Sequence, residues 1–273
     1  VNLTGGILLL AVAVPVAALL LVWLRRTPSG DRNWAADQSR MPRVTFEGTR
    51  FTVENLRNFH WSDTTTFEPR WETRSYDLDR VNRAWYIVVP FTSRWRGPAH
   101  TFISFGFDDG RYLAISIEAR RRVGQSYDIL RGLFRWFELL YVIGDEMDLI
   151  GRRAVYDGTD VILYPIAATP ETIRAVLRSM LERANRLREH PEFYNTITNN
   201  CTLDLVRHMN RLTPGRIPQS WRLALPGYSD QVLHAAGLID TTLPLEAARE
   251  KYRINDRARE AMHTPEFSER IRQ

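Results

Sequence analysis

The chain has 273 residues, with 37 basic and 32 acidic side chains, a net charge of +5 and one cysteine. A single thiol excludes an internal disulfide framework and the structural zinc sites that need two or more thiolates. Nearly all the basic residues are arginine, and no dense basic block interleaves with aromatics, so no nucleic acid is expected as a partner and no metal or cofactor is called for.

From Ile7 to Leu24 the chain reads ILLLAVAVPVAALLLVWL, 18 residues without a charge. That reaches the lower end of a membrane-spanning helix, about 17–25 residues. Trp23 stands where an interfacial aromatic belongs, and Arg25 and Arg26 follow it. Residues 1–26 are therefore expected to be an uncleaved transmembrane anchor. Residues 27–42 are polar with Pro and Gly and read as a linker. Residues 43–273 are long enough for one domain with a real core.

The stretch RVTFEGTRFTVENLRNFHW alternates around a Gly turn and predicts two short strands. Ala84–Phe91 is a compact apolar run, expected as a buried strand. His100–Phe107 and Arg111–Arg120 alternate about the turn DDG, a hairpin signal. FELLYVIG and DVILYPI suggest further strands. Pro170–His190 has a helical period with Thr169 as its cap, and Cys201–Leu212 is a second helix capped by Asn199 or Asn200. A shorter helix within PGYSDQVLHAAGLI ends at Gly237. Strands and helices do not alternate strictly, so the fold class is α+β, a mainly antiparallel sheet packed on helices.

Cys201 falls in the first turn of its helix, where unpaired N–H groups and the dipole favour a negative charge. The thiol pKa is expected to fall there, with Asn199 and Asn200 as amide donors to an oxyanion. A thiol nucleophile needs a base with an orienting group. His208 lies two turns along the same helix, about 10 Å away at 1.5 Å per residue, too far for direct contact. His100 opens a strand and shares a face with Phe102 and Ser104; Ala114, Ser116 and Glu118 share a face of the next strand. Pairing through the DDG turn brings His100 nearly opposite Glu118, so that a carboxylate could hold the imidazole. The competing reading is a strand-capping histidine and a glutamate paired with an arginine. Tyr194 leads into the cysteine turn and could shape a pocket. The acidic residues Glu138, Asp145, Glu146 and Asp148 are expected to pair with Arg152 and Arg153 rather than bind a cation. Phe134, Trp136 and Phe137 form an aromatic cluster that faces either lipid or the core.

Taken together, AHTFISFGFDDGRYLAISIEARRRVGQSY, FELLYVIGDEMDLIGRR, PEFYNTITNNCTLDLVRHMN and WRLALPGYSDQVLHAAGLI resemble the Lnb-type periplasmic domain family, over roughly residues 43–273. The resemblance implies a papain-like fold in permuted order, with the histidine before the cysteine. The family is named after a membrane-anchored enzyme that makes lyso-form lipoproteins by moving an acyl chain from the lipid of the N-terminal cysteine to its α-amino group. Carried over by motif, His100 is the base, Glu118 its partner and Cys201 the nucleophile. The founding enzyme has additional membrane segments, whereas this sequence shows one. The family also implies a domain on the periplasmic side of a bacterial inner membrane, against the positive-inside reading of Arg25 and Arg26.

The resulting expectation is a membrane-anchored, thiol-dependent acyltransferase or hydrolase that forms a Cys201 thioester and acts on a membrane lipid or lipoprotein. Asn200, Asn199, Tyr194 and Ser116 would shape its pocket. The alternatives are a papain-like envelope peptidase or amidase, and a non-catalytic envelope scaffold.

Overall fold

The computed structural model describes residues 25–92 and 94–273, together with residues 11, 13–15, 17, 18, 21 and 23. The expected anchor therefore lies largely outside the described residues. Among those described, no helix is long and apolar enough to cross a membrane.

The fold is α+β, built on one mainly antiparallel sheet. Its strands are β1 (Arg43–Glu47), β2 (Arg50–Arg57), β5 (Trp71–Asp77), β6 (Val81–Pro90), β7 (Ala99–Phe107), β8 (Tyr112–Arg120), β9 (Glu138–Gly144) and β10 (Ile162–Pro165). A small separate hairpin joins β3 (His60–Trp61) to β4 (Phe67–Glu68). The main order is β1-β2-β9-β8-β7-β6-β10, with β5 paired to β2. The β2–β9 contact is parallel and rests on the pair Arg57↔Gly144.

The helices are α1 (Arg152–Val155), α2 (Pro170–Glu189), α3 (Cys201–Leu212), α4 (Ser229–Ala235), α5 (Leu245–Lys251), α6 (Asn255–Ala261) and α7 (Phe267–Arg270). They cover both faces of the sheet. Ile103, Phe105, Ile115 and Ile117 belong to the core shared with α2 and α3. Phe102, Ala114, Leu140 and Val142 face the other way, toward Leu149, Ala154, Ala258 and Phe267. This is the period of two of a strand buried on both faces, which is why β7 reads as a nearly unbroken apolar run. The Thr169 hydroxyl caps α2 by accepting from the Thr172 N–H.

The predicted strands and the two longer helices occur within a residue or two of their expected limits, except that β6 begins three residues early, at Val81. Two features differ from expectation. β5 was not anticipated; its sequence WETRSYD carries charges on a half-exposed strand, and it pairs with β2 across a long intervening segment. Residues 27–42, read as a linker, pack on the domain. The backbone N–H groups of Ser29 and Gly30 donate to Glu138, and Gln38 is buried.

The acidic quartet also departs from expectation in its partners. Asp148 holds Arg57 through two hydrogen bonds of 2.9 and 3.0 Å and accepts from the Phe59 N–H and the Trp61 indole. Asp145 pairs with Arg74, Glu138 with Arg32 and Glu146 with Arg272. Arg152 and Arg153 instead face Asp157 and Glu118. Neighbours in sequence are not neighbours here, because the strand-to-helix turn sends successive side chains in different directions.

Candidate active site

The β7–β8 ladder runs from Gly106↔Tyr112 to Phe102↔Ser116. Continued by two residues, that register sets His100 opposite Glu118, as the hairpin reading requires. The two side chains nevertheless do not touch directly. The imidazole Nε2 lies 2.7 Å from Ser116 Oγ, and Ser116 Oγ lies 2.9 Å from Glu118 Oε1. Ser116 is thus the middle of a relay rather than a general pocket residue. Arg153 donates to the same Glu118 oxygen at 2.9 Å, and Gln38 donates to the other at 2.7 Å.

This arrangement assigns the protons. Burial raises the Glu118 pKa, but Arg153 and Arg57, then His100 and Gln38, outweigh it and hold the carboxyl well below its ordinary value. Glu118 is therefore an acceptor only. A serine has one hydroxyl hydrogen, and Ser116 gives it to Glu118. The Ser116 oxygen can then only accept from His100, which makes Nε2 the protonated nitrogen. Burial, reinforced by Arg153, lowers the imidazole pKa to about 3, so His100 is neutral at physiological pH. Nδ1 then carries the free lone pair, and it makes no hydrogen bond among the described residues. The ring is steadied from beside by Phe102, with centroids 5.3 Å apart.

Cys201 is the first residue of α3 and is 4% exposed. The Thr202 hydroxyl, 2.9 Å from that of Thr101, ties this helix end to β7. Burial raises the thiol above its ordinary pKa, and hydrogen bonds from Thr101 and Thr202 only partly oppose this. The expected fall in thiol pKa is therefore reversed, because desolvation outweighs the hydrogen bonds from Thr101 and Thr202. The resting site holds a neutral thiol and a neutral imidazole, not an ion pair.

The two asparagines serve the turn. Asn200 Oδ1 caps α3 by accepting from the Leu203 N–H at 2.9 Å, and its amide donates to Thr196 O at 2.8 Å. Asn199 donates to Phe193 O and accepts from Arg207. Neither lines the cavity described next. Tyr194 does, and burial holds its phenol pKa well above the ordinary value, so it stays a hydrogen-bond donor.

His100, Glu118, Tyr194 and Cys201 line one cavity of about 250 Å³. It lies where the β7–β8 ladder stops and the strand ends separate. His100 follows the register of Phe102 on one sheet face, while Thr101 meets α3 on the other; the cavity spans the two. Among the described residues, no hydrogen bond joins the thiol to the imidazole. Its lining combines the apolar Phe91, Trp95, Ile117, Ile129 and Pro226 with Arg57, Arg121, Arg152 and Arg153.

Other histidines stand apart. His208 is buried between Ser179 Oγ at 2.7 Å and Tyr141 OH at 2.9 Å, and that phenol donates to Asp204. His234 binds the Leu243 carbonyl. Among the described residues, no three His, Cys, Asp or Glu side chains gather as a metal site. Sequence reasoning missed Gln38, Arg153 and Tyr127. Gln38 sits in a polar stretch, and Arg153 is one of many arginines; only the tertiary fold distinguishes them.

A profile described as the Lnb N-terminal periplasmic domain matches residues 67–227, a range that includes His100, Ser116, Glu118, Tyr194 and Cys201. No curated protein matches the chain, and no solved structure does. With more than half of its length matched, the chain belongs to the Lnb N-terminal periplasmic domain family.

Proposed function

We propose that the protein is a cysteine-dependent acyltransferase or hydrolase of the cell envelope, papain-like in its arrangement and permuted in order. Residues 7–24 anchor it in the inner membrane, with the domain in the periplasm. The observation that carries this reading is the shared cavity: His100, with Nε2 committed to the Ser116–Glu118 relay and Nδ1 free, lines the same space as the lone thiol.

Since both groups rest neutral, the reaction is general-base catalysis. His100 Nδ1 takes the Cys201 proton as the sulfur attacks the carbonyl carbon of an ester-linked acyl group. The imidazolium formed in that step is stabilised by Glu118 through Ser116. The tetrahedral oxyanion takes hydrogen bonds from the Cys201 N–H and the Tyr194 phenol, in place of the asparagines. His100 then protonates the leaving alcohol, and a Cys201 thioester remains. An amine or water attacks the thioester carbonyl as His100 takes its proton, and His100 then returns that proton to the departing sulfur, releasing the acyl product and the free Cys201 thiol. The apolar part of the lining favours an acyl chain of a lipid or lipoprotein over a peptide.

Alkylation of the thiol tests the pairing. Iodoacetamide labelling of Cys201 in the folded protein, followed from pH 5 to pH 10, should be slow at neutral pH and rise toward and above the ordinary thiol value of about 8.5. His100→Ala should change the rate at pH 7. A thiol that labels only on unfolding, with no effect of His100→Ala, contradicts the proposal.

A further inference from the structure

The cavity mouth is unusually apolar for a water-facing surface. Phe91, Trp95 and Ile129 line the cavity and are also exposed. Leu130 is 67% exposed and Phe134 57%, on the same loop as Ile129, and Ile197 is exposed on the adjoining turn. The Thr196 hydroxyl binds the Ile129 carbonyl and its N–H the Gly132 carbonyl, which holds that turn against the loop. From the rim, Phe91 meets Tyr127 at 6.1 Å between centroids and Tyr127 meets Tyr194 at 6.0 Å, so aromatic surface runs inward toward Cys201. Singly exposed apolar residues are ordinary; six gathered at one mouth are an interaction surface.

What covers it is indicated by the N-terminal stretch. Trp23, at the end of the uncharged run, lies under the Arg135 guanidinium at 4.8 Å. Arg26 stacks on Trp136 at 5.5 Å, and Arg131 stacks on the same ring at 5.5 Å. The apolar run therefore ends against the loop that carries Ile129, Leu130 and Phe134. Arg26, Arg94 and Arg131 are exposed on or beside the segments that carry these residues, as is Asp128, and Asp37 and Asp157 line the cavity itself. Apolar tips accompanied by arginine, beside the end of a membrane-length apolar segment, match the boundary between acyl chains and anionic headgroups.

We infer that the mouth of the Cys201 cavity, through Phe91, Trp95, Ile129, Leu130, Phe134 and Ile197, docks on the surface of a bilayer with anionic headgroups, so that an acyl chain enters the cavity directly from lipid. The source of the acyl chain rests on the proposed thiol chemistry; the docking contact does not.

Full-length protein carrying Cys201→Ser, which removes the only native thiol, tests the contact independently of activity. A single cysteine is placed by Leu130→Cys, Phe134→Cys or Glu260→Cys and labelled with an environment-sensitive fluorophore. The protein is reconstituted in phosphatidylethanolamine–phosphatidylglycerol vesicles whose acyl chains bear a quencher. Labels at 130 and 134 should be quenched several-fold more than the label at 260, and less in phosphatidylcholine vesicles. Equal quenching at all three positions, or none at 130 and 134, overturns the inference. So does protection of 130 and 134 from a water-soluble quencher without lipid quenching, which would mean that a protein or a second copy covers the mouth. Failure here leaves the thiol chemistry standing, and an inactive thiol leaves the docking standing.

Discussion

Ser116 decides which nitrogen of His100 would act as base in the proposed reaction. Its single hydroxyl hydrogen goes to Glu118, so Nδ1 stays free for the thiol. Ser116→Ala removes the acceptor for Nε2–H and lets the ring turn. The expected loss in kcat is about tenfold, the value of one neutral hydrogen bond of about 1.4 kcal/mol. Steady-state hydrolysis of a short acyl ester measures it; an unchanged kcat would remove Ser116 from the relay. The pH dependence of stability carries a second signature. The folded pKa of His100, about 3, lies below the unfolded value of about 6.5. Between those limits the unfolded chain binds a proton that the fold does not, so stability falls as pH drops below about 6.5 and is fully present above it. Glu118, with a depressed folded pKa, adds a loss that begins as pH falls through the ordinary carboxyl value. His100→Asn should flatten the upper part of this decline, read as Tm against pH between about 6.5 and 4.5. His208, lowered by burial to about 4, retains part of the slope. At this scale the meeting of Cys201, His100 and Glu118 at one cavity was legible because one thiol and six histidines are scarce and the hairpin register singles out Glu118. The Ser116 bridge was not, since it depends on rotamers, and the raised thiol pKa was not, since it depends on burial.

Among the elements, the β7–β8 hairpin and the start of α3 position the site. Turn chemistry sets the first: Gly110 has φ of +81°, and the Phe107 N–H binds the Arg111 carbonyl at 3.0 Å. Register then follows, which is why the near-opposition of His100 and Glu118 could be read from residue numbers. The start of α3 is set by Asn200, whose side chain caps the helix and also holds the Thr196 carbonyl. Asn200→Ala loses a cap worth about 1 kcal/mol and leaves buried groups unpaired, for a total of about 2–3 kcal/mol. Urea unfolding should show this as a lower midpoint at unchanged slope; Asn200→Asp, which keeps the cap acceptor, should recover part of it. Equal stability of Asn200→Ala and wild type would contradict the assigned role. The strand β5 escaped sequence reading for the opposite reason: its pairing with β2 is long-range, and nothing local announces it.

Across the whole molecule, a buried charge pair joins the site to β3 and to residues 27–42. Arg57 lines the cavity, holds Asp148 and donates to the Asp37 carbonyl in the segment that also carries Gln38. Packing of residues 27–42 thus completes the site, although polar composition alone made this stretch look like a connection. Asp148→Asn strands the Arg57 charge, at a cost of about 3–5 kcal/mol. Replacing both partners, Arg57→Met with Asp148→Leu, should restore much of the loss in the same unfolding experiment. A double variant no more stable than Asp148→Asn would show that the pair acts through its hydrogen bonds to Phe59 and Trp61. The two helical layers were foreseen only as a class, because which helix covers which face is decided by tertiary packing.

Trapping the intermediate shows whether Cys201 carries an acyl group after His100 takes its proton. The full-length protein is incubated with a diacyl phospholipid and with a diacylated lipopeptide, quenched in acid and mapped by mass spectrometry. An acyl mass that hydroxylamine removes is expected on the Cys201 peptide, much reduced in His100→Ala and absent in Cys201→Ala. Acyl turnover that persists in Cys201→Ala, or an enzyme that never carries acyl on Cys201 while its substrate is consumed, would contradict it.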